Sequence, residues 1–374
     1  VEKSLQPDYR SKGENRKNCK NMVDRPTSAS CLTFGQTMVK GKQMKASGSG
    51  LVTIFGGSGF VGRHAVRVLA ANGWRVRVAC RRPDLAYHLQ PLGRVGQIHA
   101  VQANVRYPAS VMAAARGSDA VINLTGILSE KGRQSFAAVQ AFGARTVARA
   151  VADAGVPTLV HMSAIGANTN GESAYARSKG EGEEAVLDVF PSARIIRPSI
   201  VFGPEDDFFN RFAAIARIAP VMPLIGGGQT RFQPVYVGDV ANALANLAEG
   251  AGKPGQIYEL GGLEVKTFEE LLRYICEVTG RERAFVPVPW ALANMKAFAL
   301  EWMSKLSLGL WPDWLVVTRD QIKLLQQDNV VSAQAIAENR TLQGLGISAQ
   351  SMAAHVPAYL YRFRKSGQFE NQSA

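Results

Sequence analysis

Leu51-Val52-Thr53-Ile54-Phe55-Gly56-Gly57-Ser58-Gly59-Phe60-Val61-Gly62 is the stretch on which the fold turns. The first five residues are an apolar run of strand length, and Phe60–Asn72 reads as a helix. Between them lie glycines at 56, 59 and 62, each with its own purpose. Gly56 permits a tight turn, Gly59 lets backbone approach a diphosphate, and Gly62 lets the helix pack closely on a sheet. Ser58, Phe60 and Val61 complete the turn. Free amides and partial positive charge gather at the helix opening, which makes it an anion site. A glycine triplet alone is weak, but one set between an apolar strand and an amphipathic helix is strong.

Strand signals recur downstream at Arg75–Cys80, Ile98–Gln102, Ala120–Asn123, Thr158–Ser163 and Ala193–Arg197, with helical stretches such as Ala109–Ala115 and Gln134–Ala154 between them. This alternation predicts an α/β fold, a Rossmann-type doubly wound parallel sheet with right-handed crossovers. After Pro198 the rhythm loosens. Gln256–Leu260 reads as a strand, Thr267–Thr279 and Asp313–Gln326 as helices, and Gly226–Gly228, Pro234 and Gly238 as loops. Residues 51–200 are expected to form a nucleotide-binding domain. Residues 201–374 are expected to form a smaller, mostly helical substrate or docking domain interleaved with the sheet.

The second strand closes on Val78-Ala79-Cys80-Arg81-Arg82. A site that prefers NAD places a carboxylate there for the ribose hydroxyls. Here Arg81 and Arg82 follow instead, and guanidinium groups suit a 2′-phosphate. NADP(H) is therefore the expected cofactor, ahead of NAD(H). Asn104 and Val105 follow the third strand, where Asn104 can meet the adenine edge. Leu124, Thr125 and Gly126 follow the fourth, beside the expected adenosine ribose.

Ser163 ends the fifth strand, and Tyr175 and Lys179 come after it at a spacing of four, which puts both on one helix face. A phenol with a lowered pKa can act as acid or base, and a neighbouring ammonium favours its phenolate. The same lysine can hold the nicotinamide ribose, while the serine hydroxyl orients a carbonyl. Pro198, after Arg197, completes the expected cofactor pocket.

With these features the chain resembles the extended and atypical short-chain dehydrogenases/reductases. Arg197–Phe212, Arg231–Asp239 and Thr318–Ser332 carry a narrower resemblance, to the nucleotide-binding accessory subunit of respiratory complex I and its bacterial relatives. That resemblance covers about residues 51–365. It implies tightly held NADPH and a role in assembly or stability of NADH:ubiquinone oxidoreductase, with complex I subunits as partners. The Ser163/Tyr175/Lys179 set keeps a second reading open, that of an active NADP(H)-dependent reductase, dehydrogenase or sugar-nucleotide epimerase.

Of the formal net charge of +13, residues 1–50 carry +6, from ten Lys/Arg and four Asp/Glu. That tail is too polar to bury surface and is expected to be disordered. Glu2, Asp8, Glu14 and Asp24 argue against an organellar leader there, and Met38 or Met44 is the expected true start. The charge on the rest is spread thinly. Without a helix-turn-helix, zinc module or RNA-binding signature, nucleic acid is not an expected partner. Cys19, Cys31, Cys80 and Cys276 show no framework spacing, which fits a reducing compartment. The histidines lack ligand spacing, so no metal is expected.

Trp290–Leu310 is largely apolar, with Asn294, Glu301 and Lys305 on one stripe. Such a helix needs cover from the protein's own core, a partner or a membrane interface. The expected location is cytoplasmic or peripheral on the inner face of a respiratory membrane (the matrix side in a mitochondrion).

Overall fold

The computed structural model describes residues 50–130, 132–295 and 318–365. The basic tail up to residue 49, and the expected Trp290–Leu310 helix beyond residue 295, lie outside the described residues. The strands in chain order are β1 (Leu51–Phe55), β2 (Arg75–Cys80), β3 (Ile98–Gln102), β4 (Ala120–Asn123), β5 (Thr158–Met162) and β6 (Arg194–Pro198). Then come the short β7 (Val201–Phe202), β8 (Val221–Ile225), β9 (Arg231–Phe232) and β10 (Val235–Tyr236), followed by β11 (Ile257–Leu260), β12 (Lys266–Thr267) and β13 (Ala284–Val288). Seven of them form one sheet in the order β11-β6-β5-β4-β1-β2-β3, every pair parallel. The order reverses between β1 and β4, so the carboxyl ends of those strands diverge and open a crevice.

Helices cover both faces. The main ones are α1 (Phe60–Ala71), α2 (Pro108–Ala115), α3 (Phe142–Asp153), α4 (Ala174–Val189), α5 (Phe208–Ile218), α6 (Val237–Ala248) and α7 (Phe268–Val278). Along β1 the side chains alternate: Val52 and Ile54 join the core under α1 and α6, whereas Phe55 joins the one under α2 and α3. Each such fully buried aliphatic or aromatic side chain contributes about 1.5–3 kcal/mol. Thr53 is buried as well, and its hydroxyl is satisfied by Ser118 Oγ at 2.7 Å and the Ala114 carbonyl at 3.1 Å.

A third core gathers Phe202, Phe209, Phe232 and Phe268 with Leu271, Leu272 and Ile275 of α7. α7 starts with a capping box in which the Thr267 hydroxyl accepts from the Glu270 amide and the Glu270 carboxylate accepts from the Thr267 amide. β11 returns from this later part of the chain to extend the main sheet beside β6.

Two expected helices are corrected. Gln134–Ala154 is not one α-helix: a π-turn, Ala137–Ala141, precedes α3. The wider turn accompanies a buried Gln140, whose amide donates to the Ile127 carbonyl at 2.6 Å and whose carbonyl accepts from Ser178 Oγ at 2.8 Å. Asp313–Gln326 is also not continuous. Thr318 is extended, with ψ 154°, and caps a short helix, Arg319–Leu324. Among the described residues no helix is long and apolar enough to cross a membrane.

Candidate functional site

The turn after β1 is built as its glycines require. Gly56 has φ +79°, a conformation costly for any side chain, and an added Cβ would lie 3.2 Å from the Leu124 backbone. A Cβ on Gly62 would lie 2.4 Å from the Gly56 carbonyl oxygen. The helix therefore leans on the turn itself, a closer neighbour than the expected sheet. Gly59 is the N-cap of α1, with no side-chain bond to the helix and no acidic residue in the first turn. The first-turn amides, including those of Phe60 and Val61, thus keep their donors for a ligand. The Phe60 ring meets His64 edge-on at 5.9 Å.

A cleft of about 260 Å³ opens at the strand ends, where the sheet order reverses. Gly56, Ser58, Gly59, Arg81, Asn104, Val105, Leu124, Thr125 and Gly126 all line it, so most of the expected cofactor residues converge. Arg82 is not among the lining residues. Its guanidinium donates to Asp84 at 3.1 Å. Asn104 is held at the rim by a local turn, its side-chain oxygen accepting from the Arg106 amide at 3.1 Å. Sequence reasoning passed over Arg106, which also lines the cleft. Its place two residues beyond Asn104, after a strand end, repeats the logic applied to Arg81. Cys80 and Gln134 are further lining residues without a sequence signal.

The Ser–Tyr–Lys residues sit beyond this cleft, past Gly126. Lys179 is buried, its ammonium donating to the Met162 carbonyl at 3.2 Å. It lies 3.3 Å from where a Cβ on Gly126 would stand, so the glycine keeps that space open for the lysine. The half-buried Tyr175 ring meets Phe136 edge-on at 5.9 Å, and Lys179 Nζ lies 6.0 Å from the ring centre. Burial lowers the Lys179 ammonium to about 8, against the opposing pull of Glu183. Burial pushes the Tyr175 phenol up to about 12. The direction is opposite to the lowered phenol expected from the spacing, because burial disfavours the phenolate.

Ser163 lies just past β5, its amide donating to the Ile196 carbonyl at 2.7 Å. Its hydroxyl is buried and has no hydrogen-bond partner among the described residues. An unmade buried hydrogen bond costs about 1–3 kcal/mol, so this oxygen is poised to take a polar group. The Pro198 carbonyl accepts from Ile165 at 3.1 Å and closes the loop behind it.

A polar layer missed by sequence reasoning supports these groups. Asn123 and His161, both buried, meet at 3.1 Å, and the Asn123 side-chain oxygen accepts from the Thr125 amide and hydroxyl at 3.1 and 2.6 Å. Burial, reinforced by the Lys179 charge, drives the His161 imidazole down to about 3. Glu183, one turn after Lys179, accepts from Arg197 at 2.8 and 2.5 Å.

The uncapped helix opening, the glycine cradle, the arginine at the rim and the orphan hydroxyl are the features a dinucleotide needs. Comparison with known proteins agrees. Residues 52–261 match the NAD dependent epimerase/dehydratase family. The chain is 33% identical over 338 residues to the NADH dehydrogenase [ubiquinone] 1 alpha subcomplex subunit 9, mitochondrial, of Arabidopsis thaliana, covering 89% of this chain and 83% of that protein. It is 31% identical over 253 residues to a ceramide reductase of Caulobacter vibrioides, covering 66% and 76%. Among solved structures, the Escherichia coli NADPH-dependent quinone oxidoreductase QOR2 complexed with NADPH has a similar fold, with TM-score 0.61, 20% identity and coverage of 83% of this chain and 99% of that one. By its sheet order, its glycine cradle and these similarities, the chain belongs to the NAD dependent epimerase/dehydratase family, in company with the alpha subcomplex subunit 9 proteins.

Proposed function

We propose that this chain is an NADP(H)-holding accessory or assembly subunit of NADH:ubiquinone oxidoreductase, peripheral on the inner face of the respiratory membrane and in contact with other complex I subunits. The observation that carries this reading is the anchored Lys179, whose ammonium donates to the Met162 carbonyl at 3.2 Å beside Gly126. Tyr175 keeps its proton up to about 12, and the Lys179 ammonium is fastened to the Met162 carbonyl. A fastened ammonium and a protonated phenol both offer hydrogen-bond donors to a bound ligand. The similarity to the alpha subcomplex subunit 9 protein, which extends over 89% of the chain, supports the same role.

In this reading the α1 amides bind the diphosphate, and Arg81 takes the 2′-phosphate. Asn104 and Val105 flank the adenine, and Leu124–Gly126 border its ribose. Tyr175 and Lys179 hold the nicotinamide ribose, with Pro198 and the Ser163 hydroxyl near the ring. When bound, the nicotinamide supplies a hydride donor or acceptor. Peripheral membrane contact through Trp290–Leu310 belongs to the same proposal.

A second reading is favoured by one observation, the unpartnered Ser163 hydroxyl, which is what an active reductase, dehydrogenase or epimerase needs to orient a carbonyl. Purifying the protein without added nucleotide separates the two. Stoichiometric, non-exchanging NADPH and co-migration with membrane-bound complex I are expected of the accessory subunit. An empty, exchangeable site, with turnover that Tyr175→Phe abolishes, would replace that reading with the enzymatic one.

A further inference from the structure

Tyr175 stands in the first turn of α4, where a helix leaves amides without partners. One of these, Ala176 N–H, is capped in the ordinary way by Ser173 Oγ at 3.3 Å. The two before it are taken by a residue from far along the chain. Asp320 accepts from Ala174 N–H at 2.7 Å and from Tyr175 N–H at 3.1 Å, and also from the Ser173 hydroxyl at 2.9 Å. A negative charge at this end of a helix is favourable on its own account. The two oxygens between them bind the whole entry to the helix, and Tyr175 is held by its own backbone.

Asp320 is itself firmly placed. It lies in the first turn of Arg319–Leu324, behind the capping box of Thr318 and Gln321. Lys323 of the same helix donates to the Glu172 carbonyl at 3.3 Å, beside the start of α4. Beyond this helix the chain continues to bind parts of the same site. The Asn329 side chain accepts from Ser199 Oγ at 2.6 Å and from Ile200 N–H at 3.2 Å, and the Ser332 amide donates to Glu259 at 2.7 Å. Residues 318–332 thus form a clasp across the side of the fold that carries the nicotinamide end of the site.

We propose that Asp320 is a positioning residue for Tyr175, so that the nicotinamide half of the dinucleotide site depends on a segment remote in sequence from the family's nucleotide-binding motifs. This rests on the reading in which Tyr175 and Lys179 hold the nicotinamide ribose. Without Asp320 the Ala174 and Tyr175 amides lose their acceptor, while the Ser173 cap on Ala176 remains. Tyr175 lies inside that turn, whereas Lys179 lies a full turn deeper and keeps its bond to Met162. The hydrogen bonds of Asp320, Lys323, Asn329 and Ser332 reach Glu172–Tyr175, Ser199, Ile200 and Glu259, whereas the adenine half is built on Gly56, Gly59 and Arg81.

The test is calorimetric binding of NADPH and of adenosine 2′,5′-bisphosphate, which carries only the adenine half, to the full chain and its Asp320 variants. Asp320→Ala is expected to weaken NADPH roughly tenfold, about 1.4 kcal/mol. Adenosine 2′,5′-bisphosphate is expected to bind as to the unmodified protein. Asp320→Asn, which keeps the shape and one acceptor oxygen, should fall between the two. Equal weakening of both ligands would mark Asp320 as a general stabiliser and overturn the proposal, as would NADPH binding unchanged in both variants. If the unmodified chain binds neither ligand, the dinucleotide reading falls first and takes this inference with it.

Discussion

Arg82 donates to the Asp84 carboxylate at 3.1 Å and stands outside the lining of the cleft that its neighbour Arg81 lines. Both side chains of the pair are more than half exposed, so the bond adds little stability. The two adjacent arginines are therefore unequal. Hydrogen bonds to charged groups are worth about 1.5–3 kcal/mol, so Arg81→Ala should weaken NADPH by about ten- to a hundredfold and leave NADH nearly unchanged. Arg82→Ala should alter NADPH affinity by less than about threefold. Titrations of both nucleotides against both variants check this, and equal losses for the two arginines would contradict it.

Gly59 and Gly62 are separable for a similar reason. A methyl group on Gly62 would meet the Gly56 carbonyl oxygen at 2.4 Å, backbone against backbone, whereas on Gly59 the same atom would be 3.3 Å away. Gly62→Ala should lower unfolding stability by about 1–3 kcal/mol, the usual cost of overpacking. Gly59→Ala should nearly keep the stability but weaken NADPH, because its methyl stands where the diphosphate approaches. Urea unfolding beside nucleotide titration separates the two effects.

His161 and Lys179 give stability a definite pH dependence. The His161 pKa falls from 6.5 to about 3 on folding, so between those values the unfolded chain binds the extra proton. Stability should fall as pH drops through that window, at up to about 1.4 kcal/mol per pH unit. Lys179 falls from 10.5 to about 8, again leaving the unfolded chain more protonated in between, so stability from this residue rises as pH increases across that range. Unfolding free energies measured against pH should show both limbs, and His161→Gln should flatten the acid one. An acid limb of the same slope in that variant would point to other groups.

Glu183 and Arg197 form the ion pair behind Lys179, with side-chain exposures of 5% and 22%. Removing one partner of a buried pair typically costs about 3–5 kcal/mol. Glu183→Gln should fall at the lower end, since Arg197 is a fifth exposed and keeps Glu259 at 3.9 Å. It should also lower the Lys179 pKa further, because Glu183 is the charge that opposes burial there. The shift in denaturant midpoint measures the first effect, and the titration of the lysine by amine-selective labelling the second.

Much of the site was legible from spacing alone. Glycines at 56, 59 and 62 between an apolar run and a helix specify a turn, an approach and a close contact, all of which depend on neighbours a few residues apart. Tyr175 and Lys179 share a helix face for the same local reason. The strand and helix alternation led to the parallel sheet, and the later strand was visible as Gln256–Leu260, although nothing local indicated that it would pair with Arg194–Pro198.

Other features were decided only when distant surfaces met. The phenol at Tyr175 is raised rather than lowered because folding strips water from it, and desolvation has no signature in a spacing of four. Arg81 and Arg82 read alike in sequence, and only their geometry turns one to the cleft. The carboxylate that caps the Tyr175 helix arrives from 145 residues downstream. Local chemistry settles what each short segment can become, because its partners lie within a turn or two. Burial, charge balance and long-range capping belong to the packed chain, because each depends on which remote atoms displace water.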